Sequence, residues 1–459
     1  MEYRTERDSM GEVNVPKDAL YGASTQRAVD NFPISGIRFD RQFIWAIGLL
    51  KGSAATVSGN MGFLDLAMAE AIRQAADEVM DGKHDGQFPL DIFQTGSGTS
   101  TNTNANEVIA ARAGEILGSD VHPNDHVNYG QSSNDVIPTA IHIAATASLR
   151  EELLPALKLL ADELVEKSVE FSDVVKSGRT HLMDATPVTL GQEFGGWATQ
   201  VRKGVERVTM VLPDLEELAL GGTAVGTGIN APEGFAAGVI ELVTERTGFQ
   251  FREAADHFEA QGSKDATVMA SGALKTVAIS LFKIANDIRF LGSGPTSGIS
   301  EIKIPALQPG SSIMPGKVNP VMSEMMMQVT AHVVGNDTAI TWGGANGNFE
   351  LNVMMPMIAH NLLESVRLLT AASETFAVAC VRGIEANTER ARELVERNAI
   401  IVTALNPHIG YDNGAKIAKE AVASGRSVRD LVIEAGLMSA EEVDTALDIK
   451  SMTEGGIAE

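Results

Sequence analysis

Residues 190–215 read LGQEFGGWATQVRKGVERVTMVLPDL. Leu190, Phe194, Trp197, Val201, Val205, Val208, Leu212 and Leu215 recur at steps of three and four, so one stripe of an α-helix carries them all. Such alternation averages about 3.5 residues, the period of bundle and coiled-coil seams. Upstream, Leu149, Leu153, Leu157, Leu160, Leu164 and Phe171 form a similar stripe; downstream, Leu274, Val277, Leu281, Ile284, Ile288 and Leu291 form another. Two more helices are expected over about 320–342 and 353–382. The first has a natural start in Asn319-Pro320, because Asn caps helices and Pro is tolerated at the first helical position.

Five long helices of this period predict a mainly α protein built on a bundle rather than an alternating βαβ sheet. A helix of ~30 residues is ~45 Å long, more than the diameter of a small domain. The chain is therefore expected to pack against copies of itself. A monomeric solenoid would need an internal repeat of roughly 30–45 residues, and the sequence has none. Residues 1–133 lack the long stripes and read as a mixed, mostly helical domain ending in polar loops. Residues 134–382 form the bundle domain, and 383–459 a small helical domain in which Ser439-Ala440-Glu441-Glu442 matches a capping box.

Composition narrows the function. The chain has 459 residues, 44% apolar and 21% charged, enough for a sizeable core. With 36 Lys and Arg against 60 Asp and Glu the net charge is −24, which argues against a nucleic-acid partner and against a polybasic membrane anchor. No uncharged stretch reaches the ~20 apolar residues of a membrane helix. The opening Met1-Glu2-Tyr3-Arg4-Thr5-Glu6-Arg7-Asp8 has no apolar signal-peptide core. Cys380 stands alone, which excludes intramolecular disulfides, iron–sulfur clusters and Cys-based zinc sites. A cytoplasmic protein without metal or other cofactor, and without nucleic-acid or membrane partners, is expected.

Four polar segments differ from their surroundings. Thr95-Gly96-Ser97-Gly98-Thr99-Ser100-Thr101-Asn102-Thr103-Asn104 reads either as a linker or as a donor-rich loop before a helix that begins near Val108. Gly130-Gln131-Ser132-Ser133-Asn134-Asp135 precedes the first long helix. Its residues are ordinary caps, yet two hydroxyls and an amide at a helix N-terminus also suit a carboxylate. Ser177-Gly178-Arg179-Thr180-His181-Leu182-Met183-Asp184 sets a histidine in a polar loop, where imidazole chemistry suits proton transfer near neutrality. The most specific segment is Pro309-Gly310-Ser311-Ser312-Ile313-Met314-Pro315-Gly316-Lys317-Val318-Asn319-Pro320, with two hydroxyls, a cation and an amide just before a helix. Three other features are set aside. Gly221-Gly222-Thr223-Ala224-Val225-Gly226-Thr227-Gly228 lacks the strand–loop–helix context of a dinucleotide site. His122 and His126 have no third metal ligand. Met325-Met326-Met327 is most simply core packing.

With these segments in this order, the whole chain resembles the class II fumarases of the aspartase/fumarase superfamily. Gly310 to Pro320 matches the superfamily signature in the form of the fumarase and aspartase branch. Aspartate ammonia-lyase is the alternative. Gly347-Asn348-Phe349-Glu350-Leu351-Asn352-Val353, Phe258-Glu259-Ala260 and Gly221-Gly222-Thr223-Ala224 are each closer to the fumarase wording, and His181 leans the same way. The resemblance implies three domains around a central five-helix bundle. It also implies a homotetramer with a tetrameric helical core, in which each active site draws loops from three subunits. The implied reaction is the reversible hydration of fumarate to L-malate in the tricarboxylic acid cycle.

Removing a proton beside a carboxylate leaves a carbanion that is tolerable only as an aci form, stabilised by fixed donors where water is excluded. Lys317 and Asn319 suit that task. By resemblance, Ser97, Thr99, Ser132, Ser133, Asn134, Thr180 and Ser312 complete the dicarboxylate pocket, and Ser311 is the carbon-proton base. A serine hydroxyl is a very weak acid, so its alkoxide needs local stabilisation, which Lys317 and the backbone N–H groups near the helix start could supply. His181, coupled to Glu324, is the candidate for handling water. The net charge of −24 opposes a dianion, but screening over ~8 Å confines that penalty. The family also shows a second dicarboxylate site at a turn matching His122-Pro123-Asn124-Asp125. Some members carry a basic residue just before it, whereas this chain reads Gly118-Ser119-Asp120-Val121; His122, Asn124 and Asp125 are secondary candidates only.

Overall fold

The computed structural model describes residues 2–455; residues 1 and 456–459, at the outer ends of the expected first and last domains, lie outside it. Helices dominate. In chain order they include α1 (Arg41–Asn60), α2 (Leu66–Met80), α3 (Thr99–Leu117), α4 (Ser133–Ser148) and α5 (Leu154–Glu170). A hairpin of β1 (Val175–Thr180) and β2 (Met183–Thr189) follows, then α6 (Leu190–Met210), α7 (Asp265–Leu291), α8 (Val321–Gly344) and α9 (Met355–Ala379). One π turn, Leu149–Leu153, joins α4 to α5. The fold is the expected long-helix architecture, and α7, the longest of these helices at 27 residues, extends ~40 Å. The other sheets are two-stranded.

The stripes are the core. Leu190, Phe194, Trp197, Val201, Val208, Leu212 and Leu215 are all buried, as are Leu274, Val277, Leu281, Ile284 and Ile288. The chain divides into two compact units, and the divisions fall within long helices. One unit comprises 1–155, 205–278 and 330–370. In it α1 meets α2 closely because Gly48 has no Cβ, which would otherwise lie 2.9 Å from the Met80 side chain and 3.0 Å from Ala76 O. Every residue of α4 from Asp135 to Ser148 is buried except His142, so this helix is enclosed on all sides.

The other unit comprises 156–204, 279–329 and 371–459. Phe194 packs edge-on to Phe171 and against Trp197, with ring centroids 5.3 and 4.7 Å away. Its C-terminal part is a separate cluster of Ile401, Val402, Leu405, Ile417, Leu431, Val432 and Val443. The expected capping box is formed: Ser439 N–H donates to Glu442 Oε2, and Glu442 N–H donates to Ser439 Oγ.

One expectation needs refinement. By length and composition α7 could cross a membrane, although half of its apolar window is buried within the chain. The sequence masks this because Lys275 and Lys283 interrupt the run. Lys275 pairs with Asp337 at 2.6 Å, and Lys283 lies over the Trp197 ring.

Candidate active site

Helix α3 begins at Thr99, several residues earlier than the loop reading placed it, after Gly98 turns the chain at φ +72°. Its first turns hide their periodicity behind buried polar residues that are individually bonded. Thr101 bonds Gln94, Asn102 donates to Asn128 Oδ1, and Asn104 donates to Gln87 O. The consequence is chemical. Thr99 Oγ1 lies 2.7 Å from Ser97 Oγ and 2.7 Å from Ser133 Oγ, so three hydroxyls form a chain across the starts of α3 and α4. Two helix N-termini, each a positive dipole end, meet at this hydroxyl chain.

The cap at α4 divides its labour. Ser132 accepts from Asn134 N–H and its own N–H donates to Asp135 Oδ1, so Ser132 and Asp135 close the capping box. Ser133 is thereby left to the hydroxyl chain, and Asn134 donates from Nδ2 to Ala224 O at 2.8 Å. Asp135 is fully buried and also accepts from Gly221 N–H and Thr223 N–H, at 3.1 and 2.9 Å. Burial pushes its carboxyl above the usual range, an effect those backbone donors oppose.

Lys51 was missed by sequence reasoning. It is fully buried on α1 and donates to Asn128 Oδ1 at 2.8 Å and Gln131 Oε1 at 3.0 Å, directly supporting the loop that leads to Ser132. Burial pulls its pKa down to about 7, opposed by the charge of Asp135. The available signal was a lone lysine in the middle of an apolar helix whose other charged residue, Arg41, stands at its first position. The glycine-rich segment 221–228, set aside above, is also part of this structure. Gln261 donates to Thr223 O, and a Cβ on Gly262 would lie 2.7 Å from Phe349 O. A Cβ on Gly96 would lie 1.8 Å from Val353 O, so only glycine fits there. Thus the three segments with fumarase-like wording pack together and adjoin the hydroxyl chain.

In the other unit, Thr180 and His181 sit at the exposed tip of the β1–β2 hairpin. The signature loop is closed by Gly310 N–H to Lys317 O at 2.8 Å and Asn319 Nδ2 to Gly310 O at 2.7 Å. Asn319 therefore braces the loop with the amide group that was expected to cap α8. Ser311 Oγ accepts from Ile313 N–H at 3.2 Å and Met314 N–H at 3.0 Å. Ser312 and Lys317 are exposed, and Ser311, Met314 and Lys317 line a cavity of about 450 Å³. Glu324 is exposed in the first turn of α8. Among the described residues of one chain, no hydrogen bond or ion pair joins His181 to Glu324.

At the secondary turn, His122 Nδ1 accepts from Asp125 N–H at 3.0 Å, with the Asp125 carboxylate 3.2 Å away. Nδ1 is thus occupied within the turn itself. Among the described residues no group of three or more His, Cys, Asp or Glu side chains could hold a metal.

Comparison with known proteins places the chain in a family. A family model described as "Lyase" matches residues 11–335, and one described as "Fumarase C C-terminus" matches 401–454. A fumarate hydratase class II from Mycobacterium tuberculosis is 56% identical over 455 residues, covering 98% of this chain and 96% of that protein. One from Nitrosomonas europaea is 53% identical, covering 99% of each. The crystal structure of class II fumarase from Schistosoma mansoni superposes with a TM-score of 0.96 at 39% identity, covering 98% of this chain and 99% of that one. A fumarate lyase:delta crystallin from Brucella melitensis gives 0.94 at 43%, covering 98% and 100%. Nothing in these relatives supports the aspartate ammonia-lyase alternative. The chain belongs to the class II fumarases, the fumarate hydratases of the aspartase/fumarase superfamily.

Proposed function

We propose the following division of labour for the hydration of fumarate to L-malate, the reaction of this family. Ser97, Thr99, Ser132, Ser133 and Asn134 receive one substrate carboxylate at the paired N-termini of α3 and α4. Thr180, Ser312, Lys317 and Asn319 complete the pocket from other segments. Ser311 takes the carbon proton of malate. Lys317 and Asn319 hold the resulting aci-carboxylate, and His181 with Glu324 moves the proton of water or of the leaving hydroxyl.

The observation that carries this reading is the pair of backbone N–H groups on Ser311 Oγ. Two donors aimed at one oxygen stabilise it when it becomes anionic, more so once substrate excludes water. They answer the chief objection to a serine base, with Lys317 close by on the same loop. The donors come from within the loop rather than from the start of α8.

Among the described residues no hydrogen bond or ion pair joins His181 to Glu324 within one chain, and we assign their meeting to the contact between subunits of a homotetramer. Large apolar side chains left exposed on the long helices point the same way: Met269, Ile279, Phe282 and Phe290 on α7, and Trp342 on α8. The test of the reaction is the absorbance of fumarate formed by the purified enzyme. L-malate is expected to yield fumarate and L-aspartate to yield none; release of ammonia from L-aspartate would reject the assignment.

A further inference from the structure

The turn that carries His181 is an improbable one for its sequence. Thr180 pairs with Met183, leaving His181 and Leu182 as a two-residue loop with φ of +56° and +62°. Such loops favour Asn and Gly because both central residues adopt left-handed backbone, and a leucine there is strained. Strain of this kind persists only where the flanking structure over-determines it. The hairpin has a weak point as well. Its register shifts between Ser177 and Arg179, and a slip there would carry His181 away from the tip.

Directly beside that shift lies a buried ionic cluster. Glu301 is fully buried and takes both prongs of the Arg179 guanidinium, at 2.8 and 2.9 Å. Lys176, also fully buried, lies 3.3 Å from Glu301 and donates to Glu193 on α6 at 2.8 Å. Its ammonium reaches Ser177 O as well. Two cations from β1 thus meet two anions from outside the hairpin, so the charge is balanced where it is buried. Asn398 ties the strands together by donating to Ser177 Oγ at 3.1 Å and Ala185 O at 2.7 Å. A Cβ at Gly178 would lie 2.4 Å from Thr186 O, so the bulge closes tightly. The charged contacts all fall on β1, before the His181 turn, while Ala185 O and Thr186 O bring in β2 on the other side of it.

We propose that Glu301 is a positioning residue for His181: by gripping Arg179 and Lys176 on either side of the register shift, it holds the strained tip in the one arrangement that presents the imidazole to substrate. The proposal rests on the assignment of His181 to the active site. A bidentate Arg–carboxylate pair fixes orientation as well as distance, which is what a register lock requires.

A double-mutant cycle on the assembled enzyme tests it, with Glu301→Gln, His181→Asn and the pair compared for kcat and KM. Glu301→Gln is expected to lower kcat by about 10- to 100-fold with KM within about two-fold, the pattern of a lost transition-state interaction. In the His181→Asn background the same change is expected to cost less than about two-fold more, because residues acting through one group are not additive. Full additivity, or a folded Glu301→Gln enzyme with wild-type kcat, overturns the proposal. If Glu301→Gln fails to fold, Arg179→Lys, which keeps the charge and loses the fork, is carried through the same cycle and read by the same criteria. A His181→Asn enzyme with wild-type kcat would instead show that the assignment of His181 itself is wrong, and the proposal falls with it.

Discussion

Thr99 Oγ1 stands 2.7 Å from Ser133 Oγ, and each residue opens its own helix. Segments 34 residues apart in sequence thereby become one donor surface. Thr99→Val keeps the shape and removes the central hydroxyl, leaving Ser97 and Ser133 each without a partner. Losing one such hydrogen bond to a charged ligand costs about 1.5–3 kcal/mol. KM for malate is expected to rise about ten-fold or more, with a smaller change in kcat. Steady-state kinetics at fixed ionic strength check this; an unchanged KM removes Thr99 from the pocket.

Ser311→Ala should act differently, because it removes a base and leaves the carboxylate donors in place. We expect kcat to fall by about 10²–10⁴, the usual range for a general base, with KM little changed. Malate deuterated at the abstracted position gives the sharper measurement: the isotope effect on kcat should rise as the carbon–hydrogen step becomes more rate-limiting. If the variant keeps its turnover while His181→Asn alone abolishes proton exchange at that carbon, His181 is the base and the roles are exchanged.

The long helices were legible because their apolar residues fall on one stripe, from Leu190 to Val208 on α6. The stripe runs on to Leu212 and Leu215, but the helix ends at Met210 and Pro213 starts a separate short helix, Leu212–Leu215. The start of α3 was not legible, because its inward face is made of Thr101, Asn102, Asn104 and Asn106, all buried, and the first three are held by hydrogen bonds that no hydropathy pattern records. The four polar segments could be picked out by composition. Their grouping could not: Ser97 to Ser133 depends on two helix starts meeting, which is tertiary. Segment 221–228 has no dinucleotide context in the sequence, and only the fold shows that its N–H groups serve Asp135. Lys176 and Glu301 were invisible for a related reason. Each looks like a surface charge until its partner, over a hundred residues away in the chain, is brought beside it.

Lys51 links the site to pH. With its pKa drawn down to about 7, the folded protein holds fewer protons than the unfolded chain between about pH 7 and the ordinary lysine value near 10.5. Stability from this group therefore rises with pH across that window and is flat below it, the reverse of a salt-bridged lysine. Lys51→Met should remove this increment, so the difference in melting temperature between variant and wild type should change from pH 7 to pH 9. Because Asn128 and Gln131 lose their donor, KM should also rise. A constant difference in melting temperature would show that Lys51 keeps an ordinary pKa.

The proposed pairing of His181 from one chain with Glu324 from another leads to the last expectation. Sedimentation should give a mass near four times the 48.6 kDa of one chain. Ile279→Glu, which puts a charge on the exposed apolar face of α7, should weaken assembly, since an unpaired buried charge costs several kcal/mol at each contact. Loss of activity should follow loss of mass. Complementation separates a shared site from one that merely needs a folded neighbour. His181→Asn and Ser311→Ala chains are each nearly inactive, but mixed tetramers refolded from both would contain sites where an intact His181 from one chain meets an intact Ser311 from another. Activity should reappear on co-refolding and be absent when the two preparations are mixed without unfolding. If co-refolded mixtures stay as inactive as their parents while forming tetramers of full mass, each site takes both residues from a single chain.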